Sequence, residues 1–359
     1  MRAVLLLCAA AVLAGCGQNP RVTALSDTAA TIVADYRALA AAADSLQSAA
    51  GGFCEAPDRQ GLRAAREAWD ATMAAWMRVQ PVRFGPVRQA SRDYRMQFWP
   101  DPRDLVASQT RALIDGDGAI DADRVSAGSV AVQGLPAVEY LLYPDDGDAL
   151  PAFESEVRRC AMLRAVTAAV AATTAELARA WSPEGGGYAT ALTEYGEEAV
   201  FADAEAALAA VVGSLAETVQ DMNASKLAWP LGARSEGEPQ PLRVESRRSG
   251  RSLANIRDNL AGIETLFTAD GRGGIAALLR TRHGEAGRAL ADETLAALAR
   301  AESLAGSLET PFYQALQKRE GLDGYRELLT ATRELGDLLG ERLPKQLDVP
   351  LGFNFNDGD

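Results

Sequence analysis

The chain has 359 residues, 48% of them hydrophobic but only 6% aromatic, and a formal net charge of -13. So acidic a balance argues against nucleic acid as a partner and is compatible with cations, although most such carboxylates simply solvate helix faces. Alanine, leucine, arginine and glutamate at this density, with few β-branched runs, predict helices throughout.

The N-terminus, MRAVLLLCAAAVLAGC, carries one positive charge at Arg2 and an apolar run from Ala3 to Leu13. That run is too short to span a bilayer as a mature helix and reads as a secretion signal over residues 1–15. Leu13-Ala14-Gly15-Cys16 resembles the lipobox of bacterial lipoproteins. The resemblance implies cleavage before Cys16, lipidation of its thiol and a short tether over 16–21. Gly17, where an aspartate would signal retention, implies the outer membrane of a Gram-negative cell, with the protein facing the periplasm. Of the four cysteines, Cys8 leaves with the signal and Cys16 is lipidated. Cys54 and Cys160 remain, and in an oxidising compartment they read most simply as a disulfide, with two separate buried thiols as the alternative. Such a bridge would close a loop of roughly a hundred residues, for which chain entropy allows up to about 4 to 5 kcal/mol.

Helical patterns follow near 22–50, 58–80, 103–114, 126–143 and 152–181. SPEGGG, Ser182 to Gly187, breaks the series. A second series runs near 188–222, 246–268, 285–308, 310–318 and 322–343. The mature chain thus divides into a first bundle over 22–181, a linker over 182–187 and a second bundle over 188–359, each half large enough for its own core. Within the first series, Trp69, Met73 and Trp76 fall at i, i+4 and i+7, the spacing of a core stripe.

The stretch Gln133 to Tyr143, QGLPAVEYLLY, is less regular. Leu135, Val138, Leu141 and Leu142 have helical spacing, yet Gly134 and Pro136 sit where a plain helix wants neither. Either the proline kinks the helix and turns Glu139 into a cleft, or Pro136 lies in a first turn and Glu139 pairs with an arginine such as Arg83 or Arg95. The stretch has an echo. Leu135-Pro136-Ala137-Val138-Glu139-Tyr140-Leu141-Leu142 aligns without a gap on Leu260-Ala261-Gly262-Ile263-Glu264-Thr265-Leu266-Phe267, and Asp-Gly turns follow at Asp146-Gly147 and Asp270-Gly271. The match predicts helices at both places and points to a duplication.

Several motifs together resemble the imelysin-like family of bacterial envelope proteins. Gly134-Leu135-Pro136-Ala137-Val138-Glu139 matches the glycine and glutamate of its Gly-x-His-x-x-Glu signature, with proline in the histidine position. RVQPVRFGP, Arg78 to Pro86, and RMQFWPDPRD, Arg95 to Asp104, are similar to its arginine-phenylalanine-glycine-proline and tryptophan-proline-aspartate elements. RVESRRSGRSLANIRDNL, Arg243 to Leu260, resembles its serine-rich second-half helix start, and LGFNFNDGD, Leu351 to Asp359, its ending. The family implies an all-α fold of two tandem, related four-helix-type bundles. It also implies a role in envelope iron uptake, binding iron, another divalent cation, a metal complex or another small ligand in the groove between bundles.

Peptidase activity, an older label of the family, is unsupported by these residues, because proline has no imidazole and the one histidine, His283, lies in a predicted surface turn. The candidate ligand-binding residues are Gly134, Pro136 and Glu139, with Glu139 the candidate metal ligand, together with Arg83, Arg95, Trp99 and Asp101 from the loop between helices, where arginine, indole and carboxylate suit a polar cleft. Loop bracing by ion pairs is the alternative for those four. Ser249 and Ser252 complete the set, although N-capping of the following helix is their plainest role. The other function class is an interaction module, docked on an envelope iron-transport or redox partner.

Overall fold

The computed structural model describes residues 19–350, Asp146 excepted, so the lipobox at Cys16 and the ending at Leu351 to Asp359 lie outside the described residues. Those residues are helical, with no strand among them. The helices are α1 (Pro20–Glu55), α2 (Arg59–Val79), α3 (Arg92–Met96), α4 (Leu105–Asp115), α5 (Ala122–Ser126), α6 (Gly134–Leu142), α7 (Leu150–Ser155), α8 (Val157–Trp181), α9 (Ala204–Asp221), α10 (Ser252–Thr268), α11 (Gly274–Arg282), α12 (Gly284–Ser307), α13 (Phe312–Lys318), α14 (Leu322–Asp337) and α15 (Leu343–Leu347).

Local chemistry accounts for the main boundaries. The Asn19 side chain accepts from the Arg21 N–H to cap α1, with Pro20 in the first turn, and Asp58 caps α2 by accepting from the Gly61 N–H. Alanine on the buried side of α1, at Ala24, Ala29, Ala43 and Ala50, lets α2 and α8 approach closely. Trp69, Met73 and Trp76 form the expected buried stripe on α2. The Cys54–Cys160 disulfide joins the end of α1 to α8, with the Cα atoms 5.4 Å apart. It closes a separation of 106 residues, long enough for the full loop-entropy contribution of about 4 to 5 kcal/mol.

Helix α1 packs on α2 and α8 and also on α9, α10 and α11, and α2 lies against α10. One contiguous apolar core therefore runs through both halves of the chain.

Several expected elements differ in extent. The helix expected over 126–143 is three pieces, α5, a short 3-10 turn over Val130–Val132 and α6. The helix expected over 188–222 is a 3-10 turn over Tyr188–Leu192, an irregular segment and then α9, whose cap is Asp203. The helix expected from 246 begins at Ser252, because residues 245–251 form turns instead. Helix α11, short and flanked by glycines, was not among the expected elements. A π-helical segment, Met222–Ala228, continues α9, and another, Leu338–Arg342, follows α14.

Candidate functional site

The geometry begins at Gly134. Its φ is +75°, and a Cβ there would lie 2.4 Å from the carbonyl oxygens of both Arg95 and Met96. Only glycine permits α3 to end this close to the start of α6. Pro136 is therefore the third residue of α6 and lies in its first turn, where a missing N–H costs no ladder bond. The expected kink is absent, and first-turn placement is the correct alternative. Gln133, just before the helix, accepts from Arg95 Nε at 3.0 Å and donates to the Gly128 carbonyl at 3.0 Å. Arg95 is thus spent bracing a loop.

Glu139, one turn further on, is only 6% exposed. Its Oε1 accepts from both the N–H and the hydroxyl of Ser249, each at 2.8 Å. Neither Arg83 nor Arg95 pairs with it, which corrects the expected salt bridge: Ser249, 110 residues away, is the partner. Burial pushes the Glu139 carboxyl up from its ordinary value, while the two Ser249 bonds and the nearby charges of Arg248 and Arg247 pull it back. Among the described residues Oε2 has no hydrogen-bond partner. Ser249 and Ser252 do not cap α10; Arg251 occupies the cap position, with no side-chain cap bond. Ser252 is the first helical residue, and its buried Oγ has no partner.

Glu139 and Pro136 form part of the wall of a cavity of about 280 Å³. Phe98, Trp99, Pro100, Asp101 and Leu242 line it too, with Glu245, Arg247 and Arg248 from the turns before α10. The structure thus brings Pro136, Glu139, Trp99 and Asp101 together, with Ser249 behind Glu139. Gly134, Arg95 and Ser252 stay outside this wall. Asp101 is already committed, however: its two carboxylate oxygens accept from the N–H groups of Leu105 and Val106 at 2.9 and 2.8 Å, holding the start of α4. Its bracing role is the one the geometry supports. The Trp99–Pro100 peptide is cis.

Arg83 faces a second cavity, of about 430 Å³, which shares Gln97, Trp99 and Pro100 with the first. There it pairs with Glu217 at 3.1 Å and Asp221 at 2.7 Å on α9, so it ties the first half to the second.

Between the two cavities lies a polar cluster that no spacing in the sequence announces. Lys226, in the π-helical segment, pairs with Glu245 at 3.0 Å, and their side chains are 3% and 1% exposed. Lys226 also donates to Asn259 Oδ1 at 2.7 Å, and Gln97 Nε2 donates to Glu245 Oε1 at 2.7 Å. Gln97 Oε1 accepts from Trp76 Nε1 and Gln80 Nε2, each at 2.8 Å, and Asn255 Nδ2 donates to Glu245 Oε2 at 2.9 Å. Such burial of opposite charges is tolerable because every polar side-chain atom of the cluster has at least one partner. These residues lie inside the quoted family-like motifs or in a helix of unremarkable pattern. Only the buried lysine on a π-turn, an irregularity common at functional sites, offers a local signal, and the sequence alone does not show the turn.

The donors of the 280 Å³ cavity do not fit a resident metal ion. Asp101 is held by backbone, Glu245 by three donors, and Asp104 by Arg248, so Glu139 Oε2 is the free carboxylate oxygen. Divalent cations take about six oxygen ligands. Among the described residues no group of three or more His, Cys, Asp or Glu side chains is placed to hold a metal. His283 lies at the junction of α11 and α12, and burial with Arg21 and Arg282 lowers its pKa.

Among the described residues the chain is an all-α fold whose halves meet around a buried glutamate and two adjoining cavities. The imelysin profile, Peptidase_M75, matches residues 32–339, and the chain belongs to the imelysin family. It is similar to Iron-regulated protein A of Synechococcus elongatus, 23% identical over 277 residues that cover 75% of this chain and 71% of that protein. Among solved structures it resembles an imelysin-like protein from Psychrobacter arcticum, with a TM-score of 0.78, 22% identity and coverage of 93% and 97% of the two chains. A putative iron-regulated protein A precursor from Parabacteroides distasonis has a TM-score of 0.72, 17% identity and coverage of 92% and 97%. Both structural likenesses establish the shared fold.

Proposed function

We propose that this protein is a lipid-anchored envelope protein on the periplasmic face of the outer membrane, where it binds a small ligand in the Glu139 cavity in the service of iron uptake. The lipobox at Cys16 supports the anchor. The relatives named as iron-regulated support the link to iron. One observation carries the site: a carboxylate buried in a cavity wall keeps one oxygen tied to Ser249 and leaves the other without a partner. That second oxygen opens on the cavity rather than into sealed protein, so a ligand that donates to it takes the place of solvent there. Of a bare ion, a metal complex and another small molecule, the donor set favours the latter two.

The role is binding rather than catalysis. Pro136 stands where a metallopeptidase of this family would need a nitrogen ligand. An interaction module is the second reading, favoured by Leu242, a large apolar side chain 65% exposed at the cavity rim.

Calorimetric titration of ferrous iron, ferric iron and iron chelates into wild type and Glu139→Gln, beside thermal melts, tests the proposal. Saturable binding that weakens in Glu139→Gln with an intact fold supports the site. If wild type takes up none of them while Glu139→Gln merely melts lower, Glu139 is a structural clamp and the interaction module replaces the ligand reading. For the anchor, Cys16→Ser should release the protein from membranes or leave its precursor unprocessed. Unchanged processing and fractionation would remove the lipid assignment.

A further inference from the structure

Arg248, of opposite charge to Glu139, also lines this cavity and has donors that its ion pairs do not use. Arg248 has a side chain only 8% exposed, and its Nη2 reaches Asp104 at 3.2 Å and Asp145 at 3.1 Å. Its Nε is buried with no partner, and Nη1 has none among the described residues. Glu139 and Arg248 both line the cavity, yet they do not pair with each other. Each keeps hydrogen-bonding capacity that the protein leaves unused.

We infer that the cavity binds a small zwitterion of amino-acid type, its ammonium donating to Glu139 Oε2 and its carboxylate accepting from Arg248. The inference rests on the reading of the Glu139 cavity as the ligand site and adds the chemical class of the ligand. Four constraints lead to it. A bare cation would find one free carboxylate oxygen where it wants about six ligands, and it would meet the Arg248 charge besides. A simple anion would satisfy Arg248 but meet Glu139. A purely apolar molecule would leave both polar groups unpaired in a drier site. A zwitterion answers both groups at once, and Phe98, Trp99, Pro100, Pro136 and Leu242 offer an apolar wall for its side chain. The cavity, at about 280 Å³, is small for a ligand site and suits a molecule of this size.

The test uses full-length protein, calorimetry and the fluorescence of Trp99 in the wall. The probes are glycine, alanine, leucine and phenylalanine, with phenethylamine and 3-phenylpropionate as phenylalanine lacking one charge each. A zwitterion should bind best, and removal of either charge should weaken binding by roughly tenfold or more. Glu139→Gln should weaken phenylalanine by a similar factor while leaving 3-phenylpropionate no weaker, or tighter, because the carboxylate that repels it is gone. Arg248→Lys, which keeps the charge but loses the guanidinium fork, should weaken phenylalanine and spare phenethylamine. Loss of structure alone would weaken all three together, so the selective pattern is diagnostic even if a variant melts lower. Equal binding of phenethylamine and phenylalanine would overturn the zwitterion while keeping Glu139 as a ligand group. Absence of binding by all four amino acids at millimolar concentration would overturn it too. The separate titration with iron and its chelates then decides whether the cavity reading survives.

Discussion

Leu135 to Leu142 and Leu260 to Phe267 carry the same apolar spacing and the same glutamate, yet Glu139 is buried and Glu264 is exposed. Both stretches are helical and both helices pack on α2. Trp69 Nε1 of α2 donates to the Leu135 carbonyl at 3.0 Å, and the Met77 carbonyl of α2 accepts from Asn259 Nδ2 at 2.8 Å. The difference lies in where each helix starts. Helix α6 begins one residue before Leu135, whereas Leu260 is already deep in the 17-residue α10. The first stretch therefore presents its glutamate to the turns that precede α10. The second presents its own to solvent. A shared sequence pattern fixes which face is apolar; the helix start and the neighbours decide what the remaining face does.

The largest way to break the comparison is to exchange its distinguishing residues. Ala261→Pro places a ring in the interior of α10, removing a ladder bond and clashing with the preceding turn, and should cost about 3 kcal/mol or more. Gly134→Ala should cost a similar amount, on the order of 3 kcal/mol, because a positive φ and two carbonyl oxygens 2.4 Å from the new Cβ act together. Urea unfolding measures both. Losses under 1 kcal/mol would mean that α6 and α10 start more freely than the packing indicates.

The end of the second stretch offers a pH test. Asp270, just beyond α10, faces Asp35 on α1, whose pKa burial and the Asp270 charge raise from 3.8 to about 6 against the opposing charges of Arg78 and Arg272. The folded state then holds a proton that the unfolded state releases between about pH 4 and 6. The group's contribution is full below the unfolded value and is lost as pH rises through the folded one. Asp35→Asn should raise stability near neutral pH by on the order of 1 to 2 kcal/mol and leave it unchanged below about pH 4. Thermal melts across pH 3.5 to 8 check the sign. A destabilised variant at pH 7 would show that the ionised carboxylate is held by its arginines instead.

The glutamates themselves should differ by a smaller margin. Glu139→Gln relieves the burial of a charge but turns the two charge-assisted bonds from Ser249 into neutral ones, so a net loss of no more than about 1 kcal/mol is expected. Glu264→Gln, on an exposed face, should stay within about 0.5 kcal/mol. Equal effects in chemical denaturation would erase the contrast between the stretches.

Particular residues show how far the sequence reached. The helices followed from composition and the disulfide from the parity of Cys54 and Cys160, and the residue three places after Pro136, Glu139, is buried. Ser249 as its partner was not legible, because no local pattern couples positions 110 apart. The same holds for Lys226 and Glu245, which meet only when α9 runs into a π-turn and the turns before α10 fold over it. Asp101 has the chemistry of a ligand group, and that chemistry is consumed by the start of α4. Periodicity reports faces. It does not report which polar group has already been satisfied by backbone.

The smallest expected effect concerns the proline that distinguishes the first stretch. Pro136 lies in the first turn of α6, where the N–H it lacks would have no carbonyl partner within the helix. Pro136→Ala should therefore change stability by about 0.5 kcal/mol or less, alanine's better helix propensity offsetting the freedom it gives the unfolded chain. Its ring also forms part of the cavity wall, so the substitution enlarges the space beside Glu139. A variant that melts like wild type but binds the preferred ligand differently would show that proline shapes the site rather than the helix. A gain of 2 kcal/mol or more would instead mean that the ring strains α6, and that the start at Gly134 is imposed by α3 against the helix's own preference.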